Sequence, residues 1–159
     1  MELRGFLPPD LDALVALDNI CFDPPFRFSR SAMRSFVQAR NARVTLAEAT
    51  DGSLAGFCIL HVQHAQPQAM GYIVTLDVAP GHRRRGLAGD LMARAEQQAL
   101  DAGCAAVALH VFTGNAAAIR FYERRGYVFS HRAASFYGRG TDALVYHKEL
   151  PPISIGQRV

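Results

Sequence analysis

A chain of 159 residues, 50% hydrophobic and 19% charged, has the length of one domain and the composition of an ordinary globular protein. Its net charge of +3 and pI near 9.0 are mild, and its basic residues form no aromatic-interleaved stripe, which argues against nucleic acid as the partner. No apolar run reaches the length of a membrane span, and MELRGFLPPD lacks the apolar core of a signal peptide, so the expected compartment is the cytoplasm, with no membrane partner.

The elements follow in order. Leu3 to Leu7 reads as a strand, and Pro8-Pro9-Asp10 sets up a helix through LDALVALDNIC with Asp10 as its N-cap. Phe22 to Phe28, FDPPFRF, is aromatic and broken by proline. Ser29 or Ser31 caps a second helix to about Arg40. Ala42 to Ala49 and Leu54 to Ala65 form a hairpin around the turn Thr50-Asp51-Gly52-Ser53.

Met70 to Ala79 reads as the next strand. The segment Gly86 to Ala102 follows as a helix, its Leu87, Leu91, Ala95 and Ala99 recurring at helical spacing and Gly103 closing it. Ala105 to Phe112 is a strand, and Asn115 caps the short helix AAAIRFYERR. Strands Tyr127 to Ala133 and Ala143 to Leu150 end the pattern, joined by a loop holding Ser135-Phe136-Tyr137. The order β-α-α-β-β-β-α-β-α-β-β predicts an α+β fold. Its mixed, mostly antiparallel sheet has about seven strands and is flanked by four helices, with a parallel crossover where a helix joins the fourth and fifth strands. The expected domain is residues 1–150, with 151–159 as a tail.

Three cysteines, Cys21, Cys58 and Cys104, are too far apart in sequence for a C-x-x-C pair and sit in apolar segments, as buried small hydrophobes do. His61 and His64, three apart in a strand, point to opposite faces, and no structural metal is expected.

The richest stretch is Tyr72 to Asp90, YIVTLDVAPGHRRRGLAGD. An apolar strand breaks at Pro80-Gly81 and restarts as a helix behind Arg83, Arg84, Arg85 and Gly86. Free N–H groups and guanidinium forks converge at such a junction, which suits a diphosphate. The spacing is neither the dinucleotide fingerprint nor the P-loop pattern. Arg83-x-x-Gly86-x-Ala88 instead resembles the acyl-CoA signature R/Q-x-x-G-x-G/A of the GNAT acetyltransferase superfamily, and the element order is similar over roughly residues 1–150. Within that superfamily YIVTLDVAPGHRRRGLA, LHVFTGNAAAIRFYERRGY and the late SFY loop most resemble protein N-terminal acetyltransferases of the RimI and eukaryotic Nat type.

The resemblance implies transfer of acetyl from acetyl-CoA to the α-amine of a peptide or protein N-terminus. Such a reaction must deprotonate an ammonium and return a proton to the CoA sulfur. His110 is the expected base and Tyr72 its partner, the two holding a water that relays the proton. RimI-type sequences usually carry glutamate at the first position, whereas a eukaryotic branch has this histidine and tyrosine. A histidine near ~6.5 sits closer to an α-amine near ~7.7 to 8 than to a lysine near ~10.4, which favours N-termini as acceptors. Tyr122, which the family places beside the sulfur, is the expected acid.

For the cofactor, the resemblance implies that the backbone of Leu76, Asp77 and Val78 pairs with the pantetheine amides, if the fourth and fifth strands splay as they do in this fold. Val78 or its neighbour would serve the thioester carbonyl. Amides from Arg83, Arg84, Arg85, Gly86, Leu87, Ala88 and Gly89 would take the diphosphate. Asn115 and Ala118 would flank the arm, Asn115 also acting as helix cap. Phe26, Phe28 and Tyr137 are expected around the acceptor, with Arg27 favouring an acidic residue early in the peptide. Two other readings stay open: acetylation of a small amine or amino-acid metabolite, and a non-catalytic acyl-CoA-binding module.

Overall fold

The structure, a computed structural model, describes residues 1–152; positions 153–159, most of the expected tail, lie outside the described residues. Seven strands form one sheet: β1 (Glu2–Gly5), β2 (Ala42–Glu48), β3 (Leu54–Gln63), β4 (Ala69–Val78), β5 (Cys104–Phe112), β6 (Val128–Ala133) and β7 (Ala143–Glu149). Four helices pack on it: α1 (Leu11–Cys21), α2 (Arg30–Gln38), α3 (Leu87–Asp101) and α4 (Ala116–Arg124). The strand order is β1-β2-β3-β4-β5-β7-β6, antiparallel throughout except for the β4–β5 pair that α3 bridges. This is the expected α+β architecture.

Two cores lie on opposite faces of the sheet. One packs α3 and Tyr122 of α4 against Cys58, Leu60, Ile73 and Leu109; the other packs α1 and α2 against Leu46, Phe57 and Ile59. The helix starts follow side-chain chemistry. Ser29 accepts the Ala32 N–H at 3.0 Å and Asn115 accepts the Ala118 N–H at 3.1 Å, each filling one of the donors a helix leaves open.

Asp10 departs from expectation. A 3₁₀ turn over Pro8–Asp10 precedes α1, so the Asp10 carboxylate accepts the Leu7 N–H and pairs with Arg4, tying this turn to β1 instead of capping α1. The strand containing His61 ends at Gln63, so His64 falls beyond it; His61 Nε2 bonds the Phe36 carbonyl at 2.9 Å.

The feature that positions the site is a bulge in β4. Ile59 pairs with Thr75 and Leu60 with Ile73, so Val74 has no partner on β3. One extra residue reverses the side-chain alternation along the strand. Ile73 therefore packs with α3, whereas Thr75 and Asp77 turn to the α1 face. Beyond Ile73↔Leu109 the β4–β5 pairing stops, while β4 stays on β3 and β5 stays on β7.

Candidate functional site

The fork between β4 and β5 opens a cleft of about 400 Å³. Its walls are Val74, Thr75 and Leu76 on one side and His110, Val111 and Phe112 on the other. Helix α4 and its N-cap add Asn115, Ala118 and Tyr122, and the segment between α1 and α2 adds Phe26 and Phe28.

Ladder parity fixes which backbone groups reach this opening. The Ala79 N–H donates to the Ala55 carbonyl at 2.8 Å, so Asp77 and Thr75 face β3 and Leu76 and Val78 turn their peptide groups away from it, toward the gap. A strand edge with free donors and acceptors is what a pantetheine arm requires. Asp77 is placed differently from Leu76 and Val78: its peptide faces β3, and its side chain is buried against α1.

Val78 is also not wholly open. Its carbonyl accepts from Arg83 Nε at 3.0 Å and from Cys21 Sγ at 3.4 Å, leaving its N–H for a guest. Arg83 thus folds back onto the end of β4, while Arg84, at φ +63°, and Arg85 are exposed. Helix α3 follows Gly86, its N-cap at φ +81°, with no side-chain cap, so the N–H groups of Leu87, Ala88 and Gly89 keep no partner within the helix. The helix dipole and these donors suit a diphosphate. Free strand edge, uncapped helix start and small residues together fit an acyl-CoA.

At the base of the fork the Tyr72 hydroxyl and His110 Nδ1 lie 2.8 Å apart. Burial, with the charge of His131 second, lowers the His110 pKa, so the imidazole is neutral at physiological pH; burial raises that of Tyr72 and keeps it a phenol. Phe136 stacks on the other side of the imidazole. Tyr122 lines the cleft, its hydroxyl has no protein partner among the described residues, and burial pushes its pKa well up, leaving it a neutral donor.

The outer rim is aromatic. Phe26 meets Tyr137 edge-on at 5.1 Å and Phe112 at 4.9 Å, bringing the α1–α2 segment and the β6–β7 loop together. Phe28 stands apart from these rings and packs on Phe36 at 4.9 Å. The Arg27 side chain donates from Nε to the Phe22 carbonyl at 2.8 Å, within its own loop. Sequence reasoning did not assign Phe112, Phe136 or Cys21 to the site. Phe112 directly follows His110-Val111, and alternation alone put it on the His110 face.

Residues 11–127 match the model of the acetyltransferase (GNAT) family. The chain belongs to this family. Similar GNAT relatives include the catalytic subunit NAA10 of the N-terminal acetyltransferase A complex of Arabidopsis thaliana, 34% identical over 152 residues, which are 93% of this chain and 77% of that one. The N-alpha-acetyltransferase MAK3 of the same plant is 30% identical over 58% of this chain, and the streptothricin acetyltransferase of Streptomyces lavendulae is 34% identical over 61%. The matched regions are about half the length of these two, 48% and 50%. The structure of Arabidopsis thaliana NAA60 with a bisubstrate analogue superposes with a TM-score of 0.82 over 96% of this chain and 99% of that one, at 24% identity.

Among the described residues no three His, Cys, Asp or Glu side chains converge, and no helix is long and apolar enough to cross a membrane.

Proposed function

We propose that this GNAT enzyme transfers acetyl from acetyl-CoA to the α-amine of a peptide or protein N-terminus. The observation that carries the reading is the 2.8 Å Tyr72–His110 contact at the fork of β4 and β5, between the free strand edge and the aromatic rim. Likeness to NAA10 and MAK3 supports the acceptor class.

Acetyl-CoA brings an acyl group activated as a thioester. The peptide groups of Leu76 and Val78 hold the arm, and the amides from Arg84 to Gly89 hold its diphosphate. Asn115 and Ala118 line the opposite side. His110, kept neutral, takes the proton of the incoming ammonium through a water held with Tyr72, and the Val78 N–H stabilises the oxygen that gains charge as the amine attacks. Tyr122 donates a proton to the departing sulfur. Phe26, Phe28, Phe112 and Tyr137 enclose the first residues of the acceptor and keep bulk water from the amine.

The test is a panel of short peptides with different N-terminal residues run against lysine side chains and free amines, acetyl-CoA being present throughout. Transfer confined to peptide α-amines is the expected outcome. Transfer to small amines alone would replace this reading with metabolite acetylation, which the likeness to the streptothricin enzyme favours. The proposed compartment is the cytoplasm.

A further inference from the structure

Two carboxyl groups lie completely inside the protein and outside the chemistry above. Asp18 of α1 is 0% exposed and Asp77 of β4 is 1% exposed. Each has one oxygen satisfied. Asp18 Oδ2 accepts the Phe28 N–H at 2.9 Å, and Asp77 Oδ1 accepts the Thr75 hydroxyl at 2.6 Å. The other two oxygens, Asp18 Oδ1 and Asp77 Oδ2, are buried and meet no donor, where α1 packs against β4 through the 3.4 Å contact from Cys21 Sγ to the Val78 carbonyl and the Asp18 charge acts directly on Asp77.

Two buried carboxylates cannot face one another without a proton or a cation between them. Among the described residues no third acidic, histidine or cysteine ligand joins them to make a cation site. A proton on one oxygen satisfies both side chains at once.

We propose that Asp18 and Asp77 share a single proton, and that this carboxyl–carboxylate pair locks the α1–α2 segment onto the cleft-lining strand, making both positioning residues for the acetyl acceptor. The chain of contacts is short. Asp77 directly follows Leu76, which lines the cleft, and Asp18 holds the backbone of Phe28 at the acceptor rim. The positioning role rests on the proposed acetyl transfer; the shared proton does not.

Burial first, and the Asp18 charge second, push the Asp77 carboxyl well above the usual carboxylate range. Arg83 and the Thr75 hydroxyl oppose that shift, and Cys21 of α1, Cys58 of β3 and Tyr122 of α4 are the other titratable groups within reach of its charge. A group raised in this way stabilises the fold fully below the unfolded value near ~3.9 and loses that contribution as pH climbs through the folded value.

The experiment has two arms. In the first, the thermal midpoint of the unaltered protein is followed from about pH 6 to about pH 9 beside Asp77→Asn, whose amide supplies the donor permanently. The unaltered protein should lose several degrees across this range while Asp77→Asn stays nearly flat. Equal slopes, or a large loss in Asp77→Asn that added divalent cation does not affect, would overturn the shared proton. Restoration of the unaltered protein by a divalent cation would overturn it in favour of a metal.

In the second arm, Asp18→Asn, which can still accept the Phe28 N–H and donate to Asp77, is compared with Asp18→Ala for acceptor KM and acetyl-CoA Kd. Asp18→Ala should raise acceptor KM by about tenfold with acetyl-CoA Kd unchanged, and Asp18→Asn should restore it. Equal KM values in both variants would overturn the positioning role. If Asp18→Ala does not fold, the comparison passes to the acceptor KM of Asp77→Asn divided by that of the unaltered protein, which should fall as pH rises because titration of the acceptor amine and of His110 is common to both; a constant ratio would overturn the positioning role. Failure of the unaltered protein to acetylate any amine would sink the functional reading alone, because the first arm needs no turnover.

Discussion

Phe136 lies flat on His110, with ring centroids 3.8 Å apart and planes within 7° of parallel. The phenyl group is itself 47% exposed, so it acts as a cover between the imidazole and water. Ser135, at φ +53°, makes the turn that delivers it, and its N–H is held by Asp142 at 2.8 Å. Desolvation by this cover contributes to the lowered His110 pKa. Phe136→Ala should therefore move the acid limb of the kcat/KM profile up toward the ordinary histidine value near ~6.5. An unmoved limb would mean that the cover does not tune the base.

Replacement of His110 by alanine should lower turnover by ~10²-fold or more and leave acetyl-CoA affinity nearly unchanged, since the side chain touches the proton path and not the diphosphate. In the proposed mechanism the neutral imidazole is the working form. Activity should thus be full above its lowered pKa and fall as acid protonates the ring. Steady-state kinetics combined with calorimetry of acetyl-CoA binding tests both parts.

How much of this was readable in the chain depended on whether a property is local. The caps at Ser29 and Asn115 and the glycine stop at Gly103 are decided within a turn of helix, and caps, turn residues and apolar patterning together placed all eleven strands and helices. The bulge at Val74 was not readable, because YIVTLDV is apolar in either register and only the failure of Val74 to pair with β3 reveals the slip. Asp18 was hidden for a similar reason: an aspartate near the end of α1 reads as a solvent-facing residue until Asp77 arrives from a strand far along the chain. Asp10 shows the reverse case, in which a good local cap was claimed by Arg4.

The Phe112 ring owes its position to Gly114. A Cβ on Gly114 would stand 2.5 Å from a Phe112 ring carbon, and the ring is free to swing because it is the far end of a side chain. Gly114→Ala should then disturb the Phe112–Phe26–Tyr137 rim with little loss of stability. Acceptor KM should change several-fold and acetyl-CoA Kd should not, as fluorescence or calorimetric titration would show. Unchanged acceptor kinetics would remove Phe112 from the acceptor wall.

Replacing Arg83, Arg84 and Arg85 together by alanine should mainly weaken acetyl-CoA binding, by losing charge beside the uncapped start of α3. Arg83 also anchors the loop through the Val78 carbonyl, so Arg83→Ala alone should have an effect that salt does not screen, unlike Arg84→Ala and Arg85→Ala. Dissociation constants measured at low and high ionic strength separate the two contributions.

Gly56 sits on β3 beside the end of β4, paired with Val78. A Cβ there would lie 2.7 Å from the Asp77 carbonyl oxygen and 3.2 Å from Leu91 of α3. The first neighbour is backbone and cannot rotate aside, so relief requires β4 to move away from β3 or α3 to lift. Gly56→Ala should cost about 1 to 3 kcal/mol, the usual range for overpacking, and lower the thermal midpoint by several degrees. Because the strand that must yield carries Leu76 and Val78, the same variant should also weaken acetyl-CoA binding. A stable variant with unaltered affinity would show that β4 tolerates displacement at this point and is not the rigid edge the site requires.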